Sequence, residues 1–132
     1  MKATIYNSNG LILRTLDIPE DIIPLQYQEG SEFLLLSDSN QRLDYVLDNT
    51  IIPRPTQLTS LDKTTITANG VDVISITNAP DGTFTAVNTA TNDTITGIIN
   101  GSDTFSTTIV GTYKITIVAW PYLDFETTIT AV

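Results

Sequence analysis

The sequence predicts a mainly all-β fold, in which a small antiparallel sheet with one short helix precedes a β-sandwich. The first indication is the distribution of threonine, because residues 1–55 contain three threonines and residues 56–132 contain 20. The second is the spacing of strand-like runs in the threonine-rich part, about seven in roughly 70 residues. Residues 51–56, Ile-Ile-Pro-Arg-Pro-Thr, lie between the parts and favour an extended connector. We therefore predict two domains, residues 1–56 and 57–132.

The chain opens with a predicted hairpin. Strand-like runs at residues 3–6 and 11–15 flank the sequence Asn7-Ser8-Asn9-Gly10. An Asn-Gly pair between two such runs is a strong hairpin signal, because both residues tolerate the positive φ angles that tight turns require.

A short helix is predicted next. Asp17 is a candidate cap, Pro19 suits a first helical turn, and Glu20 stands three positions after Asp17. Pro24 limits this helix to about two turns, and Gly30 ends the excursion. Further strands at residues 32–36 and 43–47, with turns at 38–40 and 48–49, complete the first part.

The second part repeats short strand signals that suit the two faces of a sandwich. Threonine fits such strands because a β-branched side chain with a hydroxyl packs well on a half-exposed pleated face. The predicted strands are residues 64–67, 73–77, 84–87, 94–98, 104–109, 113–119 and 124–131, and the predicted turns are 69–70, 80–82, 92–93, 100–101 and 111.

The strand at residues 113–119 shows the clearest alternation. Side chains alternate between the two faces of a strand, so every second residue faces the core. The predicted inward residues are Tyr113, Ile115, Ile117 and Ala119, and the predicted outward residues are Lys114 and Thr116.

Composition narrows the function classes. The net charge of −9 repels phosphate backbones and anionic bilayers, so we expect neither a nucleic acid nor a membrane partner. No segment approaches the roughly 20 apolar residues of a membrane span. Without histidine or cysteine, most nucleophilic triads and zinc sites are excluded. We therefore predict no catalytic residues, no metal and no cofactor, and a protein that is not an enzyme.

The acidic residues have structural explanations. Asp17, Glu20 and Asp21 could form a metal cluster or an acid–base pair, but a helix start attracts acids without any chemistry, so we favour capping. Asp124 and Glu126 share one side of the last predicted strand and are expected to be solvated. Turn formation accounts for the loop acids, which are Asp62, Asp72, Asp81, Asp93 and Asp103.

The junction between the last two predicted strands is aromatic where hairpin loops are normally polar. It contains Trp120, Pro121 and Tyr122, including the only tryptophan of the chain. Two interpretations stay open, because tryptophan and tyrosine are common both at buried core ends and at interface anchors. The rings could cap the end of the core, or they could contact another chain. The candidate interface is therefore Trp120, Pro121 and Tyr122.

Two stretches resemble bacterial and phage immunoglobulin-like domains. Residues 68–77 carry a turn with Gly and Asp before an Ile-Thr strand, and residues 111–119 carry Gly-Thr-Tyr before an alternating strand. The resemblance covers roughly residues 60–132 and implies an immunoglobulin-like β-sandwich. It also places Tyr113 at the tyrosine corner, where the fold often anchors a hydroxyl group to nearby backbone.

The first part is similar to a small domain of tailed-phage proteins. The features are an opening hairpin ending in Leu-Arg, the segment Gln26 to Gly30, and Tyr45-Val46 before Ile52-Pro53-Arg54-Pro55. In such proteins an immunoglobulin-like domain comes next and ends in an aromatic-Pro-aromatic-Leu-Asp segment, which here is residues 120–124. The resemblance implies a structural component of a tailed bacteriophage particle, made in the host bacterial cytoplasm and located in the virion.

Within that class, the resemblance implies an accessory or adaptor subunit of the tail or fibre region. A capsid decoration protein is the alternative, and both would bind other virion proteins as a homo-oligomer or multi-copy symmetric subunit. A receptor- or carbohydrate-binding module is the alternative from another class. A carbohydrate-binding module would show a row of exposed aromatic side chains on one sheet face. Here the aromatic side chains are scattered and fall at predicted core positions, which are Phe84, Phe105, Tyr113 and Phe125.

Overall fold

The computed structural model describes residues 1–26, 28 and 30–132, without the side chains of Glu20, Pro24 and Leu25. The segment from Gln26 to Gly30, which contributes to the phage resemblance, therefore lies partly outside the described residues. The described chain is mainly β, which confirms the predicted fold class. It forms two compact units, Met1–Arg54 and Pro55–Val132. That each unit folds as an independent domain stays a prediction.

The first unit is built on a three-stranded antiparallel sheet. Strands β1 (Lys2–Tyr6) and β2 (Ile12–Asp17) form the predicted hairpin, and β3 (Phe33–Leu35) pairs with the other side of β1. The central strand is the most buried of the three, as its position in the order β2-β1-β3 requires. The buried apolar residues of this unit are Ala3, Ile5, Ile12, Ile23 and Val46.

The hairpin turn is closed by its own side chains. The Asn7 side-chain oxygen accepts hydrogen bonds from the amides of Asn9 (3.0 Å) and Leu11 (3.1 Å). Gly10 has φ = +81°, and a Cβ atom there would lie 2.1 Å from the backbone oxygen of Val46. Only glycine fits this position, because it needs both a positive φ and a close backbone approach.

The predicted short helix is a 3-10 helix, Glu20–Gln26. The amide of Ile22 donates to the carbonyl of Pro19 (3.3 Å), the i to i+3 spacing of this helix type. The cap assignment for Asp17 is wrong, because Asp17 is the last residue of β2 and its carboxylate lies 3.6 Å from the amino group of Met1.

A second hairpin joins β4 (Asp44–Leu47) to β5 (Thr50–Pro53). Its two turn residues, Asp48 and Asn49, have φ angles of 51° and 58°, as a type I′ turn requires. The prediction that residues 51–56 form only a connector is therefore wrong for residues 51–53. Proline is tolerated because Pro53 is the last residue of its strand, where its missing amide leaves the rest of the ladder intact.

The second unit is a single curled six-stranded sheet. Its strand order is β6-β8-β10-β11-β7, and β9 pairs with β8 outside that path. All pairs are antiparallel except β11 with β7. The strands are β6 (Ser60–Leu61), β7 (Thr65–Ile66), β8 (Ile74–Asn88), β9 (Thr94–Phe105), β10 (Gly111–Val118) and β11 (Phe125–Ala131).

Two predicted turns of this unit are bulges inside long strands. Residues 80–82 lie within the 15-residue strand β8, and residues 100–101 lie within the 12-residue strand β9. The register shifts on both sides of the Ala79–Gly101 pair, where Asn78 (φ = 57°) and Gly101 (φ = 84°) adopt left-handed conformations. A bulge bends a strand without ending its pairing, so the β8–β9 hairpin bends there and its strands stay paired on both sides of the bend.

The bend brings both halves of the curled sheet against a shared apolar cluster. Ile74 at the start of β8 and Phe105 at the end of β9 pack in the same cluster as Tyr113 and Ile115 of β10. The Phe105 ring is 5.4 Å from the Tyr113 ring in an edge-on arrangement and 6.0 Å from the Phe84 ring. The aromatic side chains therefore join the two halves of the curled sheet.

Strand β10 has the predicted register. Tyr113, Ile115, Ile117 and Ala119 are buried and Lys114 is exposed, as the alternation requires. The Tyr113 hydroxyl donates to the carbonyl of Ile109 (2.8 Å) and lies 2.9 Å from the Thr107 hydroxyl. The backbone anchor predicted for this tyrosine is thus confirmed, while the immunoglobulin-like assignment of the whole unit stays a prediction.

Candidate functional site: the aromatic corner

The candidate interface lies where the chain turns from β10 into β11. We call residues 120–122 the aromatic corner. The amide of Tyr122 donates to the carbonyl of Ala119 (2.7 Å), which closes the turn, and the Trp120–Pro121 peptide bond is cis. Ala119, which directly precedes the corner, is buried, so the corner follows immediately after a core residue.

The Gln57 side chain holds the aromatic corner in place through hydrogen bonds. Its side-chain nitrogen donates to the carbonyls of Ile117 (2.9 Å) and Leu123 (3.0 Å), one on each side of the corner. Its side-chain oxygen accepts a hydrogen bond from the Thr59 hydroxyl (2.8 Å), so the buried amide is used at both ends. A buried amide with satisfied partners holds the segments it joins in one geometry, because separating them would leave polar groups unpaired.

The backbone adds a second attachment. The amide of Leu123 donates to the carbonyl of Pro55 (2.8 Å), at the first residue of the unit. Sequence reasoning missed both Pro55 and Gln57 as supports of the corner. No periodic signal marks them, because they lie in an irregular segment about 60 residues before the groups they hold.

The surface of the corner is partly apolar. Trp120 is 37% exposed, and Tyr122 is partly buried. Tyr122 lines an open depression of about 470 Å³ together with Leu58, which is 81% exposed. The remaining lining residues are Thr56, Asn78, Ala79 and Pro80.

Acidic residues adjoin the corner in sequence. Asp124 comes two positions after Tyr122 and Asp81 comes directly after Pro80, and both side chains are exposed. Glu126 faces Lys114, whose ammonium group is 3.7 Å from its carboxylate. The arrangement offers an aromatic and aliphatic surface with acids at its margin, which is suited to binding and has no group placed for acid–base chemistry among the described residues.

Several of the loop acids bind backbone amides, as turn-forming acids do. Asp62 accepts from Ser75, and Asp103 accepts from Thr104. Asp72 is paired with Lys63 (2.7 Å) and accepts from the amide of Thr67, and these bonds lower its pKa. In the described part of the chain, no group of three or more acidic residues is arranged to hold a metal ion.

The first unit carries a second concave surface. Its cavity of about 490 Å³ lies between the two hairpin turns of the unit, residues 7–10 and 47–49. Phe33 is 41% exposed there, and its ring lies 5.6 Å from that of Tyr6. The Tyr6 hydroxyl donates to the side-chain oxygen of Asn49 (3.1 Å), so rings and amides share this surface.

An ion pair in the first unit links β2 to the residue that precedes β3. Arg14 donates to both carboxylate oxygens of Glu32, at 3.0 and 2.8 Å, and also to the carbonyl of Gln26. The Arg14 guanidinium, helped by the amide of Gln28, lowers the pKa of Glu32 to about 2. Sequence reasoning did not pair these residues, which are 18 positions apart.

Comparison of the chain with protein-family models, with curated proteins and with solved structures gives no match. The helical residues that the structure describes form no segment of the length and apolarity that a bilayer crossing needs.

Proposed function

We propose that this protein is a structural component of a tailed bacteriophage particle, in the tail or fibre region, where it acts as an accessory or adaptor subunit. The assignment to phage rests on the resemblance of residues 1–56 and 60–132 to phage-type modules. The structural rather than catalytic role is supported by the absence of histidine and cysteine from the sequence.

The observation that carries the structural role is the aromatic corner. Docking surfaces are most effective when their aromatic anchors are held before binding, because little conformational entropy is then lost. Gln57 and Pro55 hold the corner at both ends, and Trp120 remains 37% exposed. In this role the corner packs against another virion protein, or another copy of the chain, in a multi-copy symmetric assembly.

The immunoglobulin-like assignment belongs to the same proposal. The anchor from Tyr113 to Ile109 is the one expected at a tyrosine corner, and the strands of the second unit are almost entirely antiparallel. Bulges at Ala79 and Gly101 would place the halves of two long strands in opposite sheets of a sandwich.

The proposal is tested by locating the protein in particles. Immunogold labelling of purified particles from the phage that encodes the chain should place gold at the tail or its fibres. Labelling spread over the shell would replace the tail role by the alternative, capsid decoration. Particles that carry no label, although the protein is expressed in the infected cell, would contradict a virion role.

Carbohydrate or receptor binding is a second candidate, favoured by the cavity of the first unit. An exposed ring beside amide and carboxylate side chains suits the apolar face and the hydroxyl groups of a sugar, and Phe33 lies beside Asn7, Asp48 and Asn49 there. Calorimetry of the full chain with a panel of bacterial surface glycans tests this candidate. Binding that is lost in Phe33→Ala and retained in Leu58→Ala would establish it, and the absence of binding would dismiss it.

A further inference from the structure

Strand β9 is a long sheet edge, and its first half, residues 94–99, lacks the features that normally protect an edge, because the bulge at Gly101 and the charged residue Asp103 lie beyond it. The two ends of the sheet path, β6 and β7, are two residues long each, whereas β9 has 12 residues. In the part of the chain that the structure describes, no strand pairs with the edge of β9 opposite β8. It also lacks lysine and proline, and Ile98 is 81% exposed. Unprotected edges of this kind recruit further strands.

The hydrogen-bonding pattern between β8 and β9 identifies which backbone amide and carbonyl groups of β9 could pair with a further strand. The amide of Asn88 donates to the carbonyl of Asp93 (2.9 Å) at the turn between β8 and β9. Residue pairs in an antiparallel ladder alternate between bonded and non-bonded, so the later pairs of this ladder alternate in the same way. The backbone groups of Thr94, Thr96 and Ile98 therefore point away from β8.

Gly97 leaves open space on this edge of the sheet. A glycine inside a strand weakens it, and it is usually retained where a turn or a close neighbour requires it. Gly97 does not have a positive φ, and a Cβ atom there would have no heavy atom within 4 Å. Gly82 is the opposite case, since its Cβ would lie 2.4 Å from the Val118 oxygen. Among the described residues, neither a close contact nor a positive φ angle requires glycine at position 97.

Charge indicates a second copy of the same chain as the occupant. Each copy carries a net charge of −9, so most contacts between copies oppose like charges. Residues 94–102 contain no charged side chain. Two copies can therefore pair along residues 94–98 without placing like charges opposite each other, because the flanking acids Asp93 and Asp103 lie outside that segment.

We propose that two copies join through β9 in an antiparallel pair, with a twofold axis at Thr96. In this register Thr94 pairs with Ile98 and Thr96 pairs with Thr96, which uses all the outward backbone groups in about six hydrogen bonds. Ile95 lies opposite Gly97, whose open space receives its side chain. The β-branched pairs stabilise the contact. The inference does not rest on the proposed function, because the aromatic corner is not part of this edge.

The first test is sedimentation of the full chain as a function of concentration. Wild-type protein should show a monomer–dimer equilibrium that strengthens with salt, as screening reduces the repulsion between acidic copies. Ile98→Lys should raise the dimer dissociation constant at least about tenfold, and Thr96→Pro should do the same because it removes only an outward amide. The matched control is Val71→Lys, at a loop residue that is 79% exposed, and it should leave the equilibrium unchanged.

Engineered cysteines test the register, since the chain has no cysteine of its own. In a twofold pair only the central residue meets itself, at a Cα separation of about 5.5 Å that a disulfide can bridge. Thr96→Cys should form a covalent dimer under mild oxidation, and Val71→Cys should not. The proposal is overturned if wild type stays monomeric at about 1 mM in high salt, or if Ile98→Lys has no effect on its dimer. It is also overturned if Thr96→Cys does not cross-link. Trp120→Ala should leave this dimer unchanged, which separates failure here from failure of the proposed function.

Discussion

Gly10 and the Asp48–Asn49 pair reverse the chain in the first unit, whereas Asn78 and Gly101, which have similar left-handed φ angles, bend it in the second. In the first unit, Gly10 and the Asp48–Asn49 pair stand between short strands that end there. In the second, Asn78 and Gly101 also have left-handed φ angles, yet the strands continue on both sides of them. The difference lies in the tertiary surroundings of each turn signal, because a strand continues wherever the partner strand and the core continue with it.

The two units differ in the interactions that stabilise them. The first unit combines a few buried apolar residues with short hairpins closed by polar side chains and with the pair of Arg14 and Glu32. The second has long strands around two adjacent apolar clusters, and Leu61 and Phe84 pack against both of them. We therefore expect core truncation to dominate in the second unit, and turn chemistry and pH to matter most in the first.

Separating the two units tests whether the second folds without the first. Residues 55–132 expressed alone should give a β-rich circular dichroism spectrum and a cooperative unfolding transition. The fragment begins at Pro55 because its carbonyl accepts the amide of Leu123. A disordered spectrum would show that the second unit depends on the first, and would remove the basis for comparing them.

Among single substitutions, the largest effect is expected from the core of the second unit. Ile115→Ala or Ile117→Ala should lower the free energy of unfolding by about 2 to 5 kcal/mol, because each removes a fully buried side chain. Lys114→Ala, on the exposed face of the same strand, is the control and should change it by less than about 0.5 kcal/mol. Urea denaturation measures both, and the reverse ranking would mean that the register is off by one.

Three glycines have different structural roles, although the sequence alone does not distinguish them. Gly10 and Gly82 lie against backbone, and Gly97 lies beside open space. Gly10→Ala and Gly82→Ala should each destabilise by about 1 to 3 kcal/mol, since a Cβ would meet backbone oxygen at 2.1 and 2.4 Å. Gly97→Ala should be neutral or stabilising in the monomer, where its Cβ meets nothing within 4 Å. Chemical denaturation at low protein concentration measures all three. Equal losses at all three positions would contradict the distinction.

The smallest effect concerns pH and belongs to the first unit. The pKa of Glu32 is about 2 in the folded chain, below the unfolded value of about 4.3, so the ionised carboxylate stabilises the fold. That contribution is complete above about pH 4.3 and is lost as the pH falls towards 2. Glu32→Gln and Arg14→Gln should each remove this part of the pH dependence of the melting temperature. A variant that melts with the wild-type pH profile would contradict it.

Local patterns in the sequence predicted much of the fold. The alternation from Tyr113 to Ala119 set the register of β10, and Asn7 to Gly10 set the first hairpin, because short-range preferences decide both. Strand β5 was missed because two prolines suggested a connector, whereas the Asp48–Asn49 turn and pairing with β4 decided its conformation. The bulges were not predicted because Pro80 and Gly101 are typical of turns that end a strand. Here the pairing of β8 with β9 continues on both sides of them, so the strands do not end.

The candidate site was predictable only in part. Its aromatic residues stood out in the sequence, but their support by Gln57 depends on contacts between residues 60 and 66 positions apart. Such contacts arise from the curl of the whole sheet and leave no local pattern. The same holds for Leu58, whose exposure beside Tyr122 no periodicity indicates.

Trp120→Ala decides whether the aromatic corner is a docking surface. If the ring is an anchor for another chain, thermal unfolding of the isolated mutant subunit should reveal a stability within about 1 kcal/mol of wild type, while assembly weakens by about 2 kcal/mol or more. If the ring caps the core, the mutant subunit itself should lose about 3 to 5 kcal/mol. A melting temperature close to that of wild type is the result we predict, and a large drop would contradict the docking role.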